Sequence, residues 1–138
     1  MAKEKQLKTA RCILTRDDKY FLVMHQTRMF SGSKRWGLPG GRIEPGEACD
    51  KALTRELREE LYINVDDLME VGDYRYKGHD HRIFAAECHE PITRFDRNEI
   101  KRIGWHTADD IRRYEHRGLL HAGFEWQAVL DFESLRSS

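Results

Sequence analysis

The fold is best predicted from residues 41–63, GRIEPGEACDKALTRELREELYI. This segment predicts a charged helix that follows a glycine-rich turn. Successive residues of a helix are about 100° apart, so Glu56, Glu59 and Glu60 lie within about 100° of one another. The apolar side chains of the helix fall on the same face: Cys49, Ala52, Leu53 and Leu57. The pattern therefore predicts that the three carboxylates share the buried stripe. Ionised carboxylates at an apolar face need a cation nearby, and ligation by oxygen alone favours Mg²⁺, with Mn²⁺ as a substitute, over Zn²⁺.

The segment before this helix, 36–41, reads WGLPGG. Its glycines let backbone groups approach an ion or a phosphate closely. We predict a short strand at 36–38 and a helix from about residue 46 to residue 61, opened by Pro45 and Glu47. A charge run alone is more often a solvated helix face with i,i+4 ion pairs. The adjoining glycines favour a metal site instead.

These residues resemble the signature of the Nudix hydrolase family, Gly-x5-Glu-x7-Arg-Glu-U-x-Glu-Glu-x-Gly-U, in which U is aliphatic. The matching residues are Gly41, Glu47, Arg55, Glu56, Leu57, Glu59, Glu60 and Ile63. The chain departs from the signature at Tyr62, which stands where the family has its last glycine. A tyrosine there either takes the left-handed conformation that glycine favours at a helix end or forces another exit from the helix. We expect the Tyr62 ring to pack in the core.

The resemblance implies a Nudix-type α/β/α sandwich with a mixed β-sheet between helices. It implies a metal-dependent hydrolase that cleaves the phosphoric anhydride bond of a nucleoside di- or triphosphate derivative by water attack. Glu56, Glu59 and Glu60 would then hold the metal, with the backbone carbonyl of Gly40 as a further ligand.

Glu47 and Arg55 have a different predicted role, as an oppositely charged structural pair, two turns apart on the helix, that braces the loop. Glu99 precedes a predicted strand that contains Trp105, and by resemblance its carboxylate is either a metal ligand or the general base. The alternative is a surface glutamate at a strand edge. Glu59, Glu60 and Glu99 all remain candidates for the base.

Candidate substrate contacts lie outside the signature. Arg28 and Arg35 precede the glycine segment and could neutralise phosphate oxygens, although a solvated loop explains them equally well. Tyr76 could stack on a base, although strand aromatics more often pack in a core. His79 and His81 flank a predicted loop and could contact a phosphate or a sugar.

Apolar runs separated by polar turns predict the other elements. We expect strands at 10–14, 20–25, 71–76, 81–89 and 100–106, and helices at 108–114 and 124–135. Thr107 should cap the first of these two helices, because two aspartates follow it.

Composition fits a small soluble enzyme. The 138 residues suggest a single domain, 1–138, and 24 Lys and Arg balance 24 Asp and Glu, which makes nucleic-acid binding unlikely as the main role. The three cysteines lack CxxC spacing, which predicts reduced thiols and a cytoplasmic location. No apolar run predicts a membrane span and no signal peptide is expected. A homodimer is left open.

Two other function classes are compatible with parts of this pattern. A sensor would bind a nucleotide metabolite without turnover, although a pure binder need not keep three carboxylates together. A structural protein could use the acidic helix only to pair with basic partners. An enzyme requires Mg²⁺ for turnover, a sensor binds without product, and a structural protein shows neither.

Overall fold

The computed structural model describes residues 6–26 and 34–138. Six strands and three helices lie along this part of the chain, with the first helix between two groups of three strands and the other two helices at the end. They are β1 (Leu7–Arg16), β2 (Lys19–His25), β3 (Gly40–Arg42), α1 (Cys49–Leu61), β4 (Met69–Tyr76), β5 (His79–Glu87), β6 (Ile100–Thr107), α2 (Ala108–His116) and α3 (Glu125–Ser137).

The strands form one mixed sheet in the order β4-β5-β1-β2-β6, and β3 pairs with β1 beside this path. β1 and β5 are parallel, and the remaining ladders of the described chain are antiparallel. Two apolar cores lie on opposite faces of the sheet. Alternate residues of β1 face each core, so Cys12 packs in the core of Leu57 on α1, and Ile13 in the core of Ile111 on α2 and Val129 on α3. The predicted α/β/α sandwich is confirmed.

The prediction of a strand at 36–38 is wrong, because residues 36 and 37 form only isolated bridges. The Trp36 amide donates to the Leu119 carbonyl, whereas the Gly37 amide donates to the Val23 carbonyl, so this backbone pairs with two different elements and forms no continuous ladder. The strand begins instead at Gly40, with φ +138°. A Cβ at this position would lie 2.2 Å from the Ala10 carbonyl oxygen, so only glycine lets β3 approach β1 this closely.

Both ends of α1 also refine the sequence prediction. The helix begins at Cys49 rather than near residue 46, because Gly46 has φ +79° and lies in a turn that a helix cannot include. It ends at Leu61 as predicted, and Tyr62 is left-handed, with φ 56° and ψ 36°.

The expectation that Tyr62 packs in the core is wrong. Its side chain is 45% exposed, and the Arg94 guanidinium lies 4.1 Å from the ring centroid. The left-handed turn directs the chain back so that Ile63, which is 1% exposed, packs in the core instead. The ring is thereby left at the surface.

The predicted cap of α2 is confirmed. The Thr107 hydroxyl accepts from the Asp110 amide at 3.1 Å, and the Asp110 carboxylate accepts from the Thr107 amide at 2.9 Å, which is a reciprocal capping box. Within the described residues, no helix is both long and apolar enough to cross a membrane.

Candidate active site

The three glutamates of α1, which we call the acidic face (Glu56, Glu59 and Glu60), differ in burial. Glu60 is 6% exposed, and the Glu56 side chain is 14% exposed. The Glu59 side chain is 59% exposed, so the prediction that all three share the buried stripe is wrong for Glu59. The reason is angular: Glu56 and Glu60 are one turn apart, whereas Glu59 is about 100° from Glu60 around the axis, towards solvent.

β3 lies directly against this face. A Cβ on Gly41 would fall 2.6 Å from the carboxyl carbon of Glu56 and within 2.8 Å of both its oxygens. The Glu56 carboxylate therefore occupies space that a side chain at position 41 would fill. The backbone carbonyl of Gly40, which the resemblance implies as a further metal ligand, belongs to the residue at which β3 begins.

Arg55 connects the acidic face to the loop before α1. Its Nε and Nη2 donate to the two Glu47 carboxylate oxygens at 2.8 and 3.0 Å, and Nη2 also donates to the Arg42 carbonyl at 3.0 Å. Its Nη1 donates to Glu56 at 3.1 Å and to Glu59 at 3.2 Å. The predicted contact between Glu47 and Arg55 is present, but Glu47 lies in the turn before the helix rather than on it. The Arg55 hydrogen bond holds the pKa of Glu47 below its ordinary value.

Glu60 is the electrostatic centre of the site. Its Oε2 is buried and has no hydrogen-bond partner among the described residues. Burial, followed by the charge of the neighbouring Glu56, raises the pKa of Glu60 to about 8, with Arg11 opposing the shift and Glu99 adding to it. Glu99 itself is exposed and immediately precedes β6, and its carbonyl accepts from the Gln26 amide at 2.8 Å. The fold therefore brings Glu99 into the field of Glu60.

The donor set can be tested against the divalent cation that the family implies. Among residues 6–26 and 34–138, no three Asp, Glu, His or Cys side chains are already arranged around a common ion position, and the Arg55 guanidinium contacts both Glu56 and Glu59. The donors nevertheless suit Mg²⁺ or Mn²⁺: the buried Glu60 oxygen lacks a partner, Gly41 leaves space beside Glu56, and every candidate ligand atom is oxygen.

A cavity of about 210 Å³ lies on the other side of β3. Its ring-bearing lining residues are Tyr76, His79, His81, His121 and Phe124, and its cationic ones are Lys8, Arg11, Arg42 and Lys77. Gly41 contacts Glu56, whereas its neighbour Arg42 lines the cavity, so the cavity and the acidic face are adjacent along β3.

The predicted substrate contacts are distributed unevenly around this cavity. Tyr76, His79 and His81 line it, and Arg35 is close enough to His121 to contribute to lowering the pKa of that imidazole, which burial lowers most. Arg28 lies outside the described residues.

Sequence reasoning missed the cationic residues of the cavity. The signal for Arg11 was available, since it is a charged residue between Ala10 and Cys12 in a strand of otherwise apolar character, and buried charges are rare without a function or a partner. Lys8, Arg42 and Lys77 carry no comparable signal, because lysines and arginines are usual at the ends of surface strands.

Known proteins are similar to this chain in sequence and in fold. A NUDIX domain family model matches residues 5–126. An uncharacterized Nudix hydrolase of Bacillus subtilis (strain 168) is 28% identical over 148 residues, covering 91% of this chain and 90% of that protein. The CTP pyrophosphohydrolase of Escherichia coli (strain K12) is 29% identical over 119 residues, covering 84% of this chain and 75% of that protein. A solved NUDIX hydrolase from Nitrosomonas europaea aligns with a TM-score of 0.73 at 24% identity over 94% of this chain and 90% of its own, which is similarity of fold.

Proposed function

The chain belongs to the NUDIX domain family and is a Nudix-type hydrolase, and from this premise we propose that it cleaves the phosphoric anhydride bond of a nucleoside di- or triphosphate derivative with Mg²⁺ as cofactor. The observation that carries the proposal is the buried, unpartnered oxygen of Glu60 beside Glu56, against a β3 glycine. Arg55 bonds to Glu56 but leaves the Glu60 oxygen without a partner, so ionising both carboxylates is costly unless a cation binds Glu60 as well.

The proposed ligands are Glu56 and Glu60, with Glu59, Glu99 and the Gly40 carbonyl completing the set. When bound, Mg²⁺ neutralises phosphate oxygens and activates the attacking water. Mn²⁺ would substitute, because the ligands are all oxygen.

The chain itself supplies positioning and proton transfer. Arg55 fixes the Glu47 turn and the Arg42 carbonyl, so that β3 stays against α1. Water attacks phosphorus, the bond to the bridging oxygen breaks, and the proton of the water moves to a carboxylate. Glu60 is buried and would hold the cation, so the exposed carboxylates Glu59 and Glu99 are the better placed proton acceptors.

The substrate is proposed to extend from the acidic face into the cavity, where Tyr76 would contact it, with Arg35 close by. A substrate with several phosphates is consistent with cations on one side of β3 and a metal site on the other. The relative named as a CTP pyrophosphohydrolase makes CTP a reasonable first compound to test. Three free cysteines, Cys12, Cys49 and Cys88, fit a reducing compartment, so a cytoplasmic location is part of the proposal.

The test is a panel of nucleoside triphosphates, nucleotide sugars and dinucleoside polyphosphates with Mg²⁺ or Mn²⁺, read as released phosphate or pyrophosphate. Glu56→Gln should abolish metal-dependent release from the best compound, whereas Glu115→Gln, an exposed glutamate on α2, should leave it unchanged. Binding of a nucleotide by the wild type without any product would instead identify a sensor. Neither binding nor product over the whole panel would contradict both functions.

A further inference from the structure

The cavity beside β3 has an excess of positive charge. Three of its cations form no ion pair with a carboxylate of the described residues: Lys8, Arg42 and Lys77. Among the described residues that line the cavity, Glu125 is the one with a carboxylate. Each Glu125 oxygen accepts from a backbone amide, one from Ala122 at 2.9 Å and the other from Gly123 at 2.8 Å, and neither is within ion-pair distance of a described cation. Within the described part of the chain, the cations of the cavity therefore lack a directly bonded carboxylate.

Arg11 is the innermost of these cations. Its backbone pairs with Gly40 of β3 and with Ile83 of β5, so the side chain starts from the middle of the sheet. Its Nη1 donates to the Leu38 carbonyl at 3.1 Å, and no second acceptor for the guanidinium is found among the described residues. The remaining donors are not sealed away from solvent, because none of them is among the buried, unpartnered side-chain atoms of the described chain.

Within the described chain, the Arg11 guanidinium has one protein acceptor and further donors that are open to solvent or to a ligand. Burial lowers the pKa of Arg11, and the carboxylates of Glu60, Glu125 and Glu56 oppose that shift through space rather than by contact. Arg11 is half-buried, so its charge loses part of its hydration, and a bonded anion would offset that loss. The planar fork of an arginine matches two oxygens of a phosphate, which a carbonyl cannot match.

The Tyr76 ring of the cavity is poorly available for stacking on a base. The Lys77 ammonium already lies over the Tyr76 ring, 5.3 Å from its centroid. His81 and His121 meet that ring at interplanar angles of 56° and 53°, and the Thr9 hydroxyl holds the His81 Nδ1 at 2.7 Å. Stacking of a base on Tyr76 would require Lys77 to move or the ring cluster to rearrange.

We infer that this cavity is an anion subsite in which a phosphate group of the substrate, separate from the anhydride at the acidic face, accepts hydrogen bonds from Arg11. Lys8, Arg42 and Lys77 contribute positive charge around it. The inference rests on the proposed function for the identity of the substrate, which would then carry phosphate on the cavity side of the cleaved bond. Nucleoside triphosphates and dinucleoside polyphosphates meet this requirement, whereas a nucleoside diphosphate joined to a neutral sugar does not.

Binding without metal tests the subsite separately from turnover. Calorimetric titrations in EDTA, at one fixed ionic strength, would compare tripolyphosphate, CMP and cytidine as probes on the wild type, Arg11→Gln, Arg11→Lys and Arg117→Gln. Arg117 is an exposed arginine after α2 and serves as the matched control. We expect tripolyphosphate and CMP to bind the wild type more tightly than cytidine. Arg11→Gln should weaken both by at least about tenfold, Arg11→Lys by less, and Arg117→Gln not at all.

The opposite pattern would overturn the inference. Equal binding of cytidine and CMP, or binding of CMP that Arg11→Gln leaves unchanged, would identify a base pocket instead. If Arg11→Gln does not fold, the double variant Arg42→Gln/Lys77→Gln, which changes two exposed side chains, should still weaken tripolyphosphate binding by at least about tenfold, and unchanged binding there would equally overturn it.

Turnover on the same preparations separates this inference from the proposed function. If phosphate binding depends on Arg11 but no panel compound is hydrolysed, the result would support the anion subsite and contradict the proposed hydrolase activity. If UTP and UDP-glucose are hydrolysed with the same kcat/KM and Arg11→Gln changes neither value, the result would support the hydrolase activity and contradict the anion subsite.

Discussion

The acidic face of α1 and the cavity on the other side of β3 differ in charge and in how the chain builds them. The acidic face comes from one helical turn, so its three carboxylates are close together whatever the rest of the fold does. The cavity cations come from β1, β3 and the turn between β4 and β5, and only the sheet brings them together. A net charge of zero therefore conceals an anionic region on α1 and a cationic region around the cavity.

The largest expected effect is on turnover. Glu60→Gln keeps the size of the side chain but removes the buried charge, so kcat should fall by at least about 100-fold at saturating Mg²⁺. Glu59→Gln provides the comparison on the same face, and we expect a loss of similar order if the exposed carboxylate also acts on the metal or on water. Near wild-type rates for Glu60→Gln would remove the acidic face from the mechanism.

Glu99→Gln should lower turnover by about tenfold or more, and its response to conditions distinguishes its two roles. A lost ligand raises the Mg²⁺ concentration needed for half-maximal rate and is partly rescued by excess Mg²⁺. A lost base leaves the metal requirement unchanged and flattens the rise of the rate with pH. We expect the ligand pattern, because Glu99 lies within the field of Glu60. If Glu99→Gln has wild-type rates at every Mg²⁺ concentration and pH, Glu99 is a surface residue without a role in turnover.

Stability of the metal-free protein should depend on Glu60 in a pH-dependent way. The folded-state pKa, about 8, is raised above its ordinary value of 4.5, so folding favours the protonated acid. That contribution is fully present below about pH 4.5 and is lost as pH rises through about 8. In EDTA, Glu60→Gln should therefore melt at a higher temperature than the wild type, by several degrees at pH 9 and by much less at pH 5.

Thermal melting from pH 5 to 9 measures this difference, with Glu115→Gln as the control for loss of an exposed carboxylate. A difference in melting temperature that is constant over the whole range would show that the burial of the Glu60 charge does not govern it.

Arg55→Gln should destabilise the protein moderately, because one guanidinium bonds to Glu47, Glu56, Glu59 and the Arg42 carbonyl. We expect a melting temperature lower by about 5 °C, from the loss of charge-assisted hydrogen bonds that are partly exposed. Glu47→Gln combined with Arg55→Gln should lower it by less than the sum of the two single changes, since they share one ion pair. Additive losses would indicate that the pair does not brace the loop.

The smallest expected effect is that of Tyr62→Gly. Glycine relieves the left-handed backbone, which favours the variant, but it removes the exposed ring that Arg94 covers and loosens the unfolded chain. The net change in unfolding free energy should lie within about 1 kcal/mol of zero in denaturant titration. Tyr62→Ala is the control, because it removes the ring and keeps the strained backbone. If Tyr62→Gly lowers the unfolding free energy by more than about 2 kcal/mol, the ring contributes packing that its exposed position does not account for.

The helix and its carboxylates were readable from the sequence because they depend on spacing along a few turns, and the fold class followed from the resemblance to the Nudix signature. The exit at Tyr62 was not, because burial of that ring depends on which way the chain turns after Leu61. The predicted strand at 36–38 was wrong for a related reason: Trp36 and Gly37 pair with residues about 84 and 14 positions away, and no local pattern encodes those partners.

The sequence by itself determined that Glu56, Glu59 and Glu60 share one side of a helix and that a glycine precedes them, since a helix repeats every 3.6 residues regardless of context. The tertiary structure alone decided which of them is buried, how closely Gly41 approaches Glu56, and that Arg11 lies in the same cavity as Lys77. Those outcomes depend on contacts between distant segments, where packing of the sheet against α1 and α3 sets burial, and burial sets charge behaviour.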